Sequence, residues 1–242
     1  MPASIRRPVA RGRSRPAAPR TARVRAIRPA APRWQRRKEH RPAEILAAAL
    51  EQFVEHGYAG SKLEDVARRA GVTKGTMYRY YDSKEALFKA VVRETVVPHI
   101  EAFEREISES GGSARELVVR FAHGWMDRVY RSPISGLAKL IISEAGNFPE
   151  LVRFYREEVI DRMGSALERV LERGMERGEF RRVDVRSAAR VLRAPLILST
   201  IWKHSFLKCE NGLFDQDRLI DTYLDMMLNG LLVRSEGVRS DV

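Results

Sequence analysis

The chain is 242 residues long, 44% hydrophobic and net +12, with a single cysteine, which rules out an intrachain disulfide or a cysteine-rich metal site and fits a reducing cytoplasm. The longest apolar run of the C-terminal half, Pro195 to Trp202, falls far short of the ~20 residues that a membrane-crossing helix needs. A globular protein with enough apolar content to fill a core is the expectation.

The positive charge is local. Residues 1–38 hold twelve arginines, one lysine and no acid, so the rest of the chain carries −1 against the total of +12. This segment is rich in Arg, Pro and Ala and short of aliphatics, and residues 1–40 therefore read as a disordered arm. No apolar stretch follows Arg6 and Arg7, as an export signal would require. A solvated tail and an arm that grips phosphate both remain open.

From residue 41 helical periodicity takes over. Ile45, Leu46, Ala49, Leu50, Phe53 and Val54 share one face, and Gly57 follows as a C-terminal cap. Ser61-Lys-Leu-Glu64 fits a capping box opening a second helix, with Leu63, Val66, Ala67 and Ala70 inward. Gly71 supplies a sharp turn, a short helix follows, and Asp82-Ser-Lys-Glu85 fits another capping box at the head of a fourth helix. Helix, tight turn, short helix is the helix-turn-helix arrangement, whose second helix enters the DNA major groove. Val72, Met77 and Tyr81 read as packing residues. Thr73, Lys74, Gly75, Thr76, Tyr78, Arg79 and Tyr80 are left for phosphates and base edges. From Lys62 to Arg79 there are five basic residues against two acidic ones, a local positive stripe.

The stretch from Ile45 to Val92, and AGVTKGTMYRYYDSKEAL within it above all, resembles the DNA-binding domain of TetR/AcrR-type bacterial transcriptional regulators. The resemblance implies DNA contacts at Lys74, Gly75, Thr76, Tyr78 and Tyr80 and a phosphate contact at Lys84. It also implies a homodimer and a larger helical domain that senses a small molecule. Lys62 departs from the small hydroxyl residue frequent at that position, which leaves it open to a phosphate contact or to solvent.

The fourth helix is expected to run from Lys84 to near Ser108, kinked at Pro98, and Glu109 to Leu117 to form a loop. Helical periodicity then continues to the end. One helix carries Leu117, Val118, Phe121, Trp125 and Val129, a shorter one spans Ile134 to Ala145, and a long one runs from Pro149 to about Arg177. Two more cover Val185 to Leu207 and Asp215 to Val233. The fold class is all-α: an arm (1–40), a helix-turn-helix domain (41–93), a linking helix (94–109), a ligand-binding and dimerisation domain (110–235) and a tail (236–242).

No HExxH, phosphate-binding glycine loop or G-x-S-x-G elbow occurs, and the histidines at 40, 56, 99, 123 and 204 are not spaced as ligand pairs. The reading is of a chain with no catalytic residue, cofactor or metal. An apolar pocket between helices is expected instead, with walls from Phe121, Trp125, Leu137, Ile141, Phe154, Met163, Ile197 and Trp202 and polar anchors at His123 or Tyr155. The dimer seam is expected on the last two helices, at Val191, Leu192, Pro195, Leu198, Leu219, Tyr223, Met226, Met227 and Leu231. The function read from these features is a ligand-responsive regulator, most simply a repressor released from a palindromic operator by an apolar or amphipathic effector. The alternative is an architectural nucleic-acid binder of low sequence specificity.

Overall fold

Eleven α-helices follow one another in the computed structural model, which describes residues 33–209 and 215–232 and only the backbone of 33–40 and 208. The expectations for residues 1–32 and for the tail lie outside these residues. The first helix, α1, runs Arg33–Gly60 and encloses Pro42, so it begins earlier than the periodicity suggests. Residues 34–39 are mostly good helix formers without an apolar stripe, and periodicity marks only a buried face. At Gly57 the backbone turns to φ 74, breaking the regular helix.

Next come α2 (Leu63–Arg69), α3 (Lys74–Tyr80) and α4 (Lys84–Thr95). Neither expected capping box forms. The Ser61 hydroxyl donates to the Gly57 carbonyl at 2.6 Å and the Gln52 carbonyl at 3.2 Å, and Lys62 takes the cap position of α2 without a side-chain bond. The Gly57 break leaves carbonyls of α1 in need of donors, and the buried serine serves them. At α4 the cap is Ser83, whose Oγ accepts from Ala86 N at 3.0 Å, one residue later than expected. Glu85 pairs with Lys89 at 2.6 Å.

The expected kink at Pro98 is a full break: α4 ends at Thr95, and α5 (Val97–Glu109) starts afresh with Pro98 in its first turn, where a missing N–H costs nothing. Helix α6 (Ala114–Trp125) opens on a complete capping box between Ser113 and Glu116, and a π-helical turn (Met126–Tyr130) follows it. Then come α7 (Gly136–Glu144) and α8 (Pro149–Tyr155). A second π-helical turn (Arg156–Asp161) divides α8 from α9 (Arg162–Glu176) where one long helix is expected. The chain closes with α10 (Val185–Ser205) and α11 (Gln216–Leu231). A lone bridge between Phe180 and Leu232 is the only β pairing among the described residues.

The described residues from 39 onward pack as one unit with two apolar clusters. The first joins the helix-turn-helix residues Phe53, Met77, Leu87 and Phe88 to Leu137, Leu140 and Ile141 of α7 and Leu151, Phe154 and Tyr155 of α8. The second gathers α6, α9, α10 and α11. Residue 93 therefore marks no break in the core, because α7 and α8 are built into the reading head. Two close approaches fix α7 there. A Cβ on Gly136 would lie 2.4 Å from a Val54 methyl, and the buried Glu144 carboxylate accepts the Ala59 N–H at 3.0 Å.

Candidate nucleic-acid interface and effector cavity

The turn between α2 and α3 closes on backbone bonds from Ala70 N to Val66 O and from Val72 N to Ala67 O, with Gly71 at φ +64. Thr73 caps α3, its Oγ1 accepting from Thr76 N at 3.2 Å and meeting the Thr76 hydroxyl at 3.0 Å. Met77 is wholly buried and anchors the short helix to the core. Lys62, Thr73, Lys74, Gly75, Tyr78 and Arg79 are exposed, and Thr76 and Tyr80 partly so. A Cβ on Gly75 would meet no protein atom within 4 Å, so this glycine leaves room for an outside partner rather than for packing.

Electrostatics alter the list. Lys74 Nζ lies 2.8 Å from Glu64 Oε1, which also accepts from the Tyr78 hydroxyl at 3.2 Å. These bonds, Lys74 first, hold the Glu64 carboxyl down at about 2. Arg68 pairs with Asp65 and Arg69 with Glu55, while Arg79 rests its guanidinium over the Tyr80 ring at 5.8 Å. Lys84 is bound within the protein. Its ammonium turns back to donate to the carbonyls of Tyr58 at 2.7 Å and Ala59 at 3.3 Å and lies 4.4 Å from the Tyr58 ring centre. Partial burial lowers its pKa, and it closes the end of α1 rather than facing outward.

A cavity of about 120 Å³, almost wholly apolar, lies between α5, α6, α7, α9 and α10 and the two π-helical turns. Phe121, Trp125, Ile141, Tyr155, Met163 and Ile197 line it as the sequence suggests. Three expected wall residues and the expected anchor His123 do not. Leu137 and Phe154 are buried in the reading-head core. His123 faces Asp221 at 4.0 Å near the surface, and Trp202 is 39% exposed with its ring against Phe206. Periodicity shows that a residue is apolar and on a face, but not which neighbour that face meets. The sequence reading missed Val96, Ile100, His99, Ser135 and Arg193, all of which line the cavity. Arg193 carries a signal, as the lone charge in the apolar run from Val191 to Trp202.

On α10, Val191, Leu198 and Trp202 are exposed at spacings that keep them, with half-buried Pro195, on one stripe, and Met226 on α11 is 70% exposed. Leu219 and Met227 are half-buried. Leu192, Tyr223 and Leu231, expected at the same seam, are buried inside the protomer, the Tyr223 hydroxyl donating to the Leu192 carbonyl. They present nothing outward. Among the described residues no group of His, Cys, Asp or Glu is arranged to hold a metal, and no helix is long and apolar enough to cross a membrane.

Comparison with known proteins bears on both sites. Residues 45–91 match the model of bacterial regulatory proteins of the tetR family, and residues 116–230 match the C-terminal domain of AefR-like transcriptional repressors. The fatty acid metabolism regulator protein of Bacillus subtilis is 25% identical over 190 residues, covering 78% of this chain and 94% of its own. The HTH-type transcriptional repressor KstR2 of Rhodococcus jostii is 27% identical over 193 residues, 78% of this chain and 89% of its own. The crystal structure of the transcriptional regulator FadR from Bacillus subtilis in complex with stearoyl-CoA superposes with a TM-score of 0.64 at 25% identity, over 78% of this chain and 98% of that one.

Proposed function

The chain belongs to the tetR family of bacterial regulatory proteins and is a ligand-responsive DNA-binding repressor; from that premise we propose how it reads and releases its operator. As a homodimer it sets two copies of α3 into successive major grooves of a palindrome, about 34 Å apart. Lys74, Tyr78 and Arg79 supply the contacts that discriminate bases or fix register, while Lys62, Thr73, Thr76 and Tyr80 meet the backbone. The exposed apolar stripe of α10 with Met226 supports the pairing of protomers.

The effector is an apolar or amphipathic molecule that enters the cavity. The observation that carries this reading is shared membership: Val96, Ile100, Ile141 and Tyr155 line the cavity and also belong to the apolar cluster that holds α3. The cavity's about 120 Å³ is near the ~150 Å³ of an engineered apolar cavity that takes one benzene, so a larger molecule must move these walls. Such a molecule binds the displaced arrangement better than the DNA-bound one and thereby lowers operator affinity. The break at Pro98, between Val96 and Ile100, and helix α7, pressed onto Val54 through Gly136, are the two elements that transmit the displacement. The relative solved with stearoyl-CoA supports an acyl chain as the apolar part.

The test begins with selection of bound fragments from the host genome, followed by anisotropy titration of the selected operator. Alanine at Lys74, Tyr78 and Arg79 is expected to cost about 1–3 kcal/mol for each base-reading residue. Long-chain acyl compounds are expected to release wild-type protein from the operator as intact dimers. Full affinity in the triple variant, or indifference to every acyl compound, would refute the respective half.

A further inference from the structure

The cavity is apolar except for a few groups, among them a guanidinium with one free nitrogen and a buried indole N–H. Arg193 projects from α10, donating through Nε to the Ala189 carbonyl at 3.2 Å and through Nη1 to the Ile160 carbonyl at 2.7 Å. Ile160 lies in the second π-helical turn and is 38% exposed, so this guanidinium stands where the cavity meets solvent. Gly164 on α9 makes room for it, because a Cβ there would come within 3.3 Å of Nη1. Among the described residues Nη2 has no hydrogen-bond acceptor, and no carboxylate lies within 4.0 Å of the guanidinium. Burial is the chief influence on its pKa and lowers it; Glu168 and Asp161 raise it, and Arg190 lowers it further. The second group is Trp125, whose indole N–H is buried without an acceptor on the wall of the same cavity.

A half-buried cation fixed by two backbone carbonyls with no carboxylate in contact is costly unless an anion joins it. The free Nη2 of Arg193 and the indole N–H of Trp125 are both donors, and each calls for an acceptor. We infer that the effector is an amphiphilic anion, its apolar part filling the cavity and an anionic oxygen on its head accepting from Nη2 of Arg193. The inference rests on the cavity being the effector site. It selects, among apolar molecules of equal size, those with a negative end, because only these neutralise the guanidinium where water is partly excluded. Ser135, also on the cavity wall, is not the anchor. Its hydroxyl already donates to the Ser132 carbonyl and meets His204 Nε2 at 2.8 Å.

A free carboxylate brings its anionic oxygen at the end of the chain, whereas the thioester of a phosphorylated carrier brings phosphate oxygens, and the experiment separates them. Dodecanoate, dodecanol and dodecanoyl-CoA are titrated against the intact protein preloaded with an apolar fluorescent probe, in wild type, Arg193→Gln, Arg193→Lys and Ala138→Trp. Ala138 lines the cavity, and tryptophan there fills it. Wild type is expected to favour an anion over the alcohol by at least about tenfold, which at 1.4 kcal/mol per decade is well within the reach of a charge-assisted hydrogen bond. Arg193→Gln is expected to abolish that preference while still binding the alcohol and the probe, and Arg193→Lys to keep part of it. Whichever anion shows the Arg193-dependent preference identifies the source.

Equal affinity of wild type for all three compounds, which requires no variant to fold, would overturn the inference. A preference that survives in Arg193→Gln would do the same. Loss of the cavity reading itself would look different: Ala138→Trp would then bind the probe as well as wild type does.

Discussion

Lys74 and Glu64 form an ion pair of 2.8 Å across the helix-turn-helix, with Tyr78 donating to the same carboxylate. Two residues assigned to DNA are thus held, without DNA, by an acid on the neighbouring helix. Phosphate must displace that acid, so Glu64→Gln is expected to raise affinity for duplex DNA at low salt, by an amount that shrinks as salt screens the exposed charges. Anisotropy across a salt series checks this. The Glu64 carboxyl sits at about 2 instead of the ordinary 4.5. A depressed folded value means that the pair favours the folded state above about 4.5, and that its contribution is lost as pH falls from there toward 2. An NMR titration of the Glu64 carboxyl is expected to show that low midpoint, and glutamine at this position to leave stability at neutral pH less favourable.

Lys84 is expected to behave as a structural residue. Lys84→Met removes the donor to Tyr58 and Ala59 and is expected to lower stability by about 1 kcal/mol. The slope of log affinity against log salt should stay as in wild type, whereas loss of a phosphate contact would reduce it by about 0.9. Thermal melts and salt-series binding on the same preparation separate the two roles.

Glutamate at Leu198 and Met226, which are 57% and 70% exposed, is expected to give folded monomers by sedimentation with weakened operator binding. Neither side chain contributes to the protomer core, so helicity should be unchanged. A monomeric wild type at micromolar concentration would contradict the assignment of the seam.

Gly136→Ala drives a methyl into Val54 and is expected to cost about 1–3 kcal/mol by overpacking. Val54→Ala in the same chain should recover much of that loss, since the two positions are in contact and couple. Chemical denaturation of the four combinations measures the coupling directly.

Much of this architecture is legible in the sequence because the amphipathic stripes are long. The reading head is the clearest case, where Gly71, Thr73 and Met77 each have a local physical reason for their place. Capping shows the limit. Ser61-x-x-Glu64, Asp82-x-x-Glu85 and Ser113-x-x-Glu116 have similar patterns, yet only the last forms a box. The difference lies in what stands nearby: carbonyls freed by the Gly57 break claim Ser61, and Ser83 lies closer to the first turn of α4 than Asp82 does. Leu192 and Leu198 show the same limit on α10. Both are apolar at helical spacing, but one faces α11 within the protomer and the other faces outward. That distinction belongs to tertiary packing, which a single helix does not encode.

The π-helical turns have a consequence for chain length. A π turn holds a surplus residue that the flanking α-helical segments accommodate without changing phase. Deleting one residue within 156–161 would draw α8 and α9 into a continuous helix with both buried faces still in register. The same deletion inside 162–176 would swing Leu167, Val170 and Leu171 by about 100° away from their partners. Tolerance to insertion and deletion in this half of the chain is therefore concentrated at the cavity wall, where losing one residue reshapes the binding site and spares the scaffold.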